Sequence, residues 1–593
     1  MTVQKMLRDT VGTTVLLYDQ TCATEKRRRR KRGTMAAAPA RVVINELVCE
    51  GCGDCTVQSN CLSVEPVDTP LGRKRRINQS SCNQDLSCLK GMCPSLVSIE
   101  GGRLRQPRAA TGLPELAHLP PLPEPQLPDA SRAWGIVVAG IGGTGVITIG
   151  QLLGMAAHLE GRGVVTQEAA GLAQKGGATW SHVQIADRSE AIFTTKVGTA
   201  EADLVMGCDP IVTALPATLA VMRAGRTHIA LNTHHTPTAA AMTQPDWHYP
   251  GAQCDHVLAD AVGHDADAIA RLDTVALAEK LLGDAIYANP LMLGFAWQKG
   301  WVPLSLQALT RAIELNAVQV ERNLQAFAWG RQAAHDPARM ARLLLPAQPV
   351  QWFPRAGGQG VPDGGASDSL DAIVQRRMAH LTDYQSVAYA ARYEAWVTRV
   401  GEAEAVLGSQ RLTRAVAQQL FRLMAIKDEY EVARLLTSDA FRQQVGAQFE
   451  GGWRMVWHLA PPALGEGAGK GQPGARPAKR AFGPAWAPLL HGLAWARRLR
   501  NTWLDPLRLS HTRRDELATL AAYEALLTRL LAGLNADTLT AACELAESAE
   551  AIKGFGVVRQ AHAAPVLARW QAFSGFSELA GFSAPGSPGR RRA

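Results

Sequence analysis

WGIVVAGIGGTGVITIGQLLGMAA, residues 134–157, carries no charge and seven glycines. A membrane-spanning helix needs about 20 apolar residues in unbroken helical register. Here the apolar run Gly135 to Ala139 stops at a glycine-rich turn and resumes as a helical pattern. Strand, tight turn and helix in that order open an α/β unit. Further strand-like runs follow at Gly163 to Gln167, Asp203 to Gly207 and His228 to Asn232, separated by helical stretches. They predict an α/β domain over 134–352 around a Rossmann-like, mainly parallel sheet. Its end turns helical, with Leu304, Leu306, Leu309, Ile313 and Leu315 near helical spacing.

The turn itself, Gly140-Ile-Gly142-Gly143-Thr-Gly145, satisfies the Gly-x-Gly-x-x-Gly pattern, and Glu168 lies 23 residues beyond Gly145. Taken alone, this suits a dinucleotide, whose pyrophosphate meets the helix N-terminus and whose ribose meets the acid. Gly-rich turns also form where a helix start meets another backbone. The following Gly171-Leu-Ala-Gln-Lys175-Gly-Gly177 stretch belongs to no nicotinamide motif.

Outward from this domain the 593-residue chain divides further, since it is too long for one core. Residues 101–133 hold seven prolines between Pro107 and Pro128 and read as a semi-rigid linker. Residues 42–100 form a cysteine-bearing module. In residues 1–41, Thr13 to Tyr18 (TTVLLY) predicts a buried parallel strand with no neighbour to pair with, ahead of a basic run. A Gly-rich linker covers 353–369. From 370 to 580 the pattern is helical: Leu370, Ile373, Val374, Met378, Leu381, Tyr384, Val387, Ala391 and Trp396 predict one long amphipathic helix. Further helices are expected over about 411–448 and 484–549, around a Gly, Pro and Ala stretch from Gly465 to Ala478. Residues 581–593 read as a disordered tail.

The net charge of +9 invites an anionic partner, but seven basic residues sit in one run, Lys26 to Arg32, and three close the chain, Arg590 to Arg592. Without interleaved aromatics the run reads as a solvated or interface-facing segment rather than a nucleic-acid reader. The opening MTVQKMLRDT lacks the apolar core of a secretory signal, and no span is found, so a cytoplasmic protein with no membrane partner is expected.

Seven of the 11 cysteines fall between Cys49 and Cys93. Cys49-Glu-Gly-Cys52-Gly-Asp-Cys55 offers three thiolates on one tight loop, and Cys93 precedes Pro94. This spacing suits a 4Fe-4S cluster bound by Cys49, Cys52, Cys55 and Cys93. A zinc knuckle is the bland alternative, but it normally uses two separated Cys-x2-Cys pairs. Cys61, Cys82 and Cys88 remain, with Asp85 where Cys82-x2-Asp85-x2-Cys88 would call for a cysteine. They make either a second cluster, of 3Fe-4S type or with an oxygen-ligated iron, or three spare thiols. Cys208 reads as a buried strand-end thiol, Cys254 as a loop thiol and Cys543 as a helix-core residue; His234-His235 reads as loop.

Several stretches together resemble the indolepyruvate ferredoxin oxidoreductases of the 2-oxoacid:ferredoxin oxidoreductase group. They are YDQTCATEKRRRRKRG (18–33), VCEGCGDCTVQSNCLSVEP (48–66), GRKRRINQSSCNQDLSCLKGMCPS (72–95), AGIGGTGVITIGQLLG (139–154), GLAQKGGATWSHVQI (171–185), DEYEVARL (428–435), HLAPP (458–462) and IKGFGVVR (552–559). The resemblance implies a ferredoxin-type module at 42–100, a gamma-type domain at 134–352 and the family's helical C-terminal part. It implies oxidative decarboxylation of an aryl 2-oxoacid such as indolepyruvate, with coenzyme A as acyl acceptor and ferredoxin as electron acceptor. Residues 1–33 resemble only the tail of the family's thiamine-binding domains, whose diphosphate and magnesium ligands have no counterpart here. Thiamine diphosphate and magnesium are therefore expected on a partner subunit or on domains elsewhere, the isolated chain is expected to be inactive, and the glycine loop is expected to shape an interface without a nicotinamide. A non-catalytic remnant and a basic nucleic-acid-binding zinc protein are the alternative readings.

Overall fold

The computed structural model describes residues 2–36, 38–105, 121–170, 177–344, 369–460, 476–500, 502–505, 507 and 510–576. The Pro-rich stretch 106–120, the loop 171–176, the Gly-rich linker 353–368, most of the Gly, Pro and Ala stretch (461–475) and the tail 577–593 lie outside the described residues.

Strand β1 (Ala40–Ile44), the hairpin β2 (Val64–Thr69) and β3 (Gly72–Ile77), and β4 (Leu96–Glu100) belong to the cysteine module. A short β5 (Arg103–Leu104) follows. The α/β domain supplies β6 (Trp134–Ile141), β7 (Gly163–Ala170), β8 (Ala178–Ala186), β9 (Ala202–Gly207), β10 (His228–Asn232) and β11 (Ile269–Leu272). The C-terminal region adds β12 (Phe449–Glu450), β13 (Arg454–Leu459) and β14 (Arg480–Phe482).

The large sheet runs β11-β10-β9-β6-β8-β7. Four of its strands are parallel, as the sequence predicts. β8 alone runs against them: it pairs antiparallel with both β6 and β7, so β7 keeps the common direction. β8 reads Ala-Thr-Trp-Ser-His-Val-Gln-Ile-Ala, whose polar residues hide a central strand. Inserted beside β6, it displaces β7 to the edge. Alternation along β6 sends Ile136 and Val138 to one core and Val137 to the other. The first core is closed by helices Val146–Leu159, Ala288–Gln298, Leu306–Leu315 and Val320–His335.

The module's sheet is not self-contained. Its order is β1-β4-β13-β14, and β13 adds to β4 with Val456 opposite Ser98. Two of its four strands thus come from more than 350 residues downstream. Its core likewise mixes Val43, Val97 and Ile99 with Val432, Leu435, Phe441 and Trp457. The predicted long helix from Leu370 is two helices, Leu370–Tyr384 and Val387–Ala405. Ser386 caps the second by accepting from the Tyr389 amide at 3.2 Å. The break shifts the buried face to Tyr393, Val397 and Val400, leaving Val387 exposed. Arg411–Met424, His511–Ala532, Leu539–Glu547 and Gly556–Ala572 complete this bundle around Leu420, Tyr523, Leu527 and Trp570.

The TTVLLY run is not a buried strand: among the described residues no strand pairs with it, and Val15 and Leu17 are 79% and 89% exposed. Among the described residues no helix is long and apolar enough to cross a membrane.

Candidate metal centre

The first cysteine loop owes its shape to its glycines. Gly51 and Gly53 adopt φ of 69° and 75°, a left-handed backbone that glycine takes without strain. A Cβ on Gly51 would lie 2.3 Å from the Arg73 carbonyl oxygen, so β3 can approach only a glycine there. The Gly51 amide donates to the Cys49 Sγ at 3.4 Å. Helix Asp54–Ser59 then starts, with Cys55 as its second residue. Cys49, Cys52, Cys55 and Cys93 are all buried. Burial pushes the Cys52, Cys55 and Cys93 thiols up, and each is raised further by others of the four; Cys93 reaches about 12. Thiols so raised stay protonated until a cation replaces the protons. Ser95 helps hold Cys93, its hydroxyl 2.9 Å from the sulfur.

The second loop repeats this build. Gln84 and Leu86 adopt φ of 57° and 59°, and the Gln84 amide donates to the Cys82 Sγ at 3.4 Å. The 3-10 turn Ser87–Lys90 follows, with Cys88 as its second residue. Cys88 is buried, whereas Cys61 and Cys82 are half-buried. Burial raises Cys82 and Cys88, the latter to about 12, and Cys61 and Asp85 push in the same direction. The electrostatic neighbours of the seven thiols thus divide into Cys49, Cys52, Cys55 and Cys93 on one side and Cys61, Cys82 and Cys88 with Asp85 on the other. Asp85 is exposed, and its Oδ1 accepts from the Ser87 amide at 3.1 Å and hydroxyl at 2.8 Å. Among the described residues no three His, Cys, Asp or Glu side chains close on a single metal ion.

Cations surround both sets. The buried Lys74 Nζ donates to the Cys49 carbonyl at 2.7 Å, and burial pushes its pKa down to about 7. Lys427 donates to the Val48 carbonyl and pairs with Glu50 at 2.7 Å. Lys479 donates to the Cys93 carbonyl at 3.2 Å. Arg75 lies beside Cys55, Cys49 and Cys52 and donates to the Pro245 carbonyl of the α/β domain at 2.8 Å. Arg27 and Arg30, on helix Ala23–Lys31, donate to the Ser81 and Asn83 carbonyls, so the basic run docks on the second loop. Asp54 accepts from the Met92 amide at 2.7 Å and from both Arg476 terminal nitrogens, tying the two loops together.

The C-terminal region closes over the first loop. Gly554, at φ 103°, leaves only 3.4 Å between a would-be Cβ and the Cys52 Cβ, and Lys553 pairs with Asp246 at 2.6 Å. Glu50, Arg422, Lys427, Glu516 and Arg559 line a remaining cavity of about 10 Å³, room for at most one water. Burial raises the Glu516 carboxyl to about 7, against the pull of Arg559. A folded-state pKa above the ordinary 4.5 means the folded chain binds more protons, so stability falls as pH rises from about 4.5 to 7. Glu516→Gln should melt with the wild type at pH 5 and above it at pH 8, by on the order of 1–3 kcal/mol. Thermal melts at both pH values check this, and a variant no more stable than wild type at pH 8 would refute it.

The glycine loop lies at the end of β6 and is occupied by the chain's own groups. The Asn289 side chain donates to the Thr144 carbonyl at 3.1 Å, and the Gly142 amide to the Gly177 carbonyl at 2.8 Å. Glu168 sits two strands from β6, level with Val138 through Ser181, and not on the strand adjoining the loop. The ribose contact of a dinucleotide fold is therefore not available to it. His234 pairs with Asp273 at 3.4 Å, and His235 stacks on Tyr249. Cys208 ends β9 and Cys543 is in a helix core, but Cys254 is no loop thiol: it is buried in helix Gly251–Ala261.

Residues 135–333 match the family of pyruvate ferredoxin/flavodoxin oxidoreductases. Two relatives, both indolepyruvate oxidoreductase subunits IorB, come from Methanothermobacter thermautotrophicus and Archaeoglobus fulgidus. They share 28% and 27% identity, each over 34% of this chain and over 98% and 94% of their own lengths. The α/β domain of this chain is similar to these indolepyruvate oxidoreductase subunits. Residues 370–572 match DUF6537, a family of unknown function. A keto/oxoacid ferredoxin oxidoreductase gamma subunit of solved structure, from Geobacter sulfurreducens, is 21% identical over 34% of this chain and 98% of its own, with a TM-score of 0.24.

Lys74, Arg75, Asp54 and Gly554 are functional neighbours that sequence reasoning did not single out. Within the GRKRRI stretch, Lys74 and Arg75 are buried against the first loop. The signal was the basic run's place in a hairpin between two cysteine motifs.

Proposed function

We propose that this chain is the electron-transfer and gamma-type portion of an indolepyruvate:ferredoxin oxidoreductase of the cytoplasm. The complex oxidatively decarboxylates aryl 2-oxoacids to acyl-CoA, with ferredoxin as acceptor. Thiamine diphosphate and magnesium belong to partner domains, which hold the oxoacid while it gives up two electrons. Iron–sulfur centres take those electrons one at a time. One observation carries the reading: five of the seven thiols, Cys49, Cys52, Cys55, Cys82 and Cys88, sit on two like-shaped loops, in a chain whose α/β domain matches an oxidoreductase family. Cys49, Cys52, Cys55 and Cys93 would hold a 4Fe-4S cluster; Cys61, Cys82 and Cys88, with Asp85, are the ligand set for a second. Their donor chemistry fits, since soft thiolates on a loop with inward amides suit iron and sulfide.

Anaerobically purified full-length protein should be brown and contain iron and acid-labile sulfide. Cys52→Ser should remove one cluster's spectrum, and Cys543→Ser should change nothing. Zinc without sulfide would overturn the reading. Supplied with a subunit carrying thiamine diphosphate, the chain should pass electrons from the oxoacid to ferredoxin or a viologen dye. Turnover by the isolated chain would overturn the assignment of catalysis to a partner.

A further inference from the structure

The two cysteine loops are conformational copies. In each, the second and fourth residues after the first cysteine are left-handed: Gly51 and Gly53 in one, Gln84 and Leu86 in the other. In each, the first of those residues donates its amide to the first cysteine's sulfur at 3.4 Å, and the third cysteine is the second residue of a helical turn. Glycine takes this backbone freely, whereas a side chain strains it. The second loop thus keeps the shape of the first against strain, and backbone strain of this kind collects at binding sites. The correspondence sets Asp85 where the first loop has Cys52. Asp85 lies close enough to Cys82 and Cys88 to oppose their ionisation. Unlike Cys52, it is exposed.

We infer that Cys61, Cys82, Cys88 and Asp85 form an iron–sulfur site with one exchangeable corner, where a divalent iron is held to the protein only by the Asp85 carboxylate. The inference rests on the reading of the module as an iron–sulfur carrier. A carboxylate is a harder ligand than thiolate and suits oxophilic ions such as Fe2+. Asp85 Oδ1 is also shared with Ser87, which competes for its lone pairs. The corner fills by addition: a reduced three-iron, four-sulfide core of zero net charge plus Fe2+ gives a four-iron core of charge 2+. The incoming iron sheds water and gains bonds to three sulfides and the Asp85 carboxylate; no electron moves. Removing one electron from the full core with a mild chemical oxidant releases the iron as Fe2+ and leaves the oxidised three-iron core.

The test uses the full chain, reconstituted anaerobically with Fe2+ and sulfide, and reads electron paramagnetic resonance and iron content. After ferricyanide oxidation the wild type should show a three-iron signal and lose one iron per chain. Dithionite, a one-electron donor, followed by Fe2+ and desalting without oxidant, should restore that iron and leave no three-iron signal. Asp85→Cys should retain its iron and lack the signal, while Asp85→Ser should show it at full intensity without added oxidant. Iron for a single four-iron cluster in wild type and Asp85→Cys alike, with no three-iron signal from the second set, would overturn this inference and leave the carrier reading intact. Absence of iron and sulfide altogether would overturn both.

Discussion

Asp428→Ala lowers the unfolding free energy of the C-terminal bundle by about 3–5 kcal/mol, the cost of leaving buried charge unpaired. Asp428 and Arg500 are 3% and 1% exposed at their side chains and meet through two hydrogen bonds, at 2.7 and 3.0 Å. Arg513 is 3.4 Å from Asp428 and 3.1 Å from Asp505, which accepts from the Tyr430 hydroxyl at 3.0 Å. Arg500 also donates to the Tyr384 carbonyl at 2.6 Å and stacks over that ring at 3.9 Å. Alanine therefore strands two guanidinium groups with one acid between them. It also removes the cap of helix Glu429–Leu436, where Asp428 accepts from the Glu431 amide at 2.9 Å. That helix ends at Leu435 and Leu436, and the Leu435 carbonyl accepts from the buried Asn45 side chain at 2.9 Å. Asn45 in turn accepts from the Cys49 amide through its own carbonyl, so damage in the bundle reaches the first cysteine loop. Denaturant titration should show the loss; an unchanged midpoint would refute it.

Gly330→Ala destabilises the α/β domain by about 3 kcal/mol or more, the upper range for overpacking. Its Cβ would sit 1.9 Å from the Leu291 carbonyl oxygen and 2.8 Å from the Phe295 nitrogen. Gly294 on the facing helix meets the Phe327 carbonyl oxygen at 2.0 Å in the same way. Both obstacles are backbone, so no rotamer relieves them and the helices Ala288–Gln298 and Val320–His335 must part. Phe295, Trp297, Phe327 and Trp329 then lose packing across the seam. For a domain of this size the melting temperature should drop by roughly 6–12 °C. A melt superimposable on the wild type would show that the helices part without cost.

The parallel half of the sheet was legible because its strands are short apolar runs between helical stretches, and His228–Asn232 matches the observed strand end to end. β8 was not, because Thr179, Ser181, His182 and Gln184 read as surface residues; they are buried, and the Gln184 amide is satisfied by the Thr194 and Lys196 carbonyls. Local spacing singled out the seven thiols between Cys49 and Cys93. It could not show that Lys74 lies beneath Cys49 or Gly554 against Cys52, since those approaches join segments far apart in sequence. The TTVLLY error has the same origin: an apolar run predicts burial only if some neighbour supplies the other half of the ladder.

The sheet that carries β1 and β4 also bears on how the protein is made. β13 and β14 are synthesised long after Cys93, and a ribosome adds about 5–20 residues per second. The nascent cysteine segment therefore waits on the order of tens of seconds for its own sheet to be completed. During that interval its thiols have neither the flanking strands nor the Gly554 cover. A gene cut anywhere between β4 and β13 therefore divides the module itself.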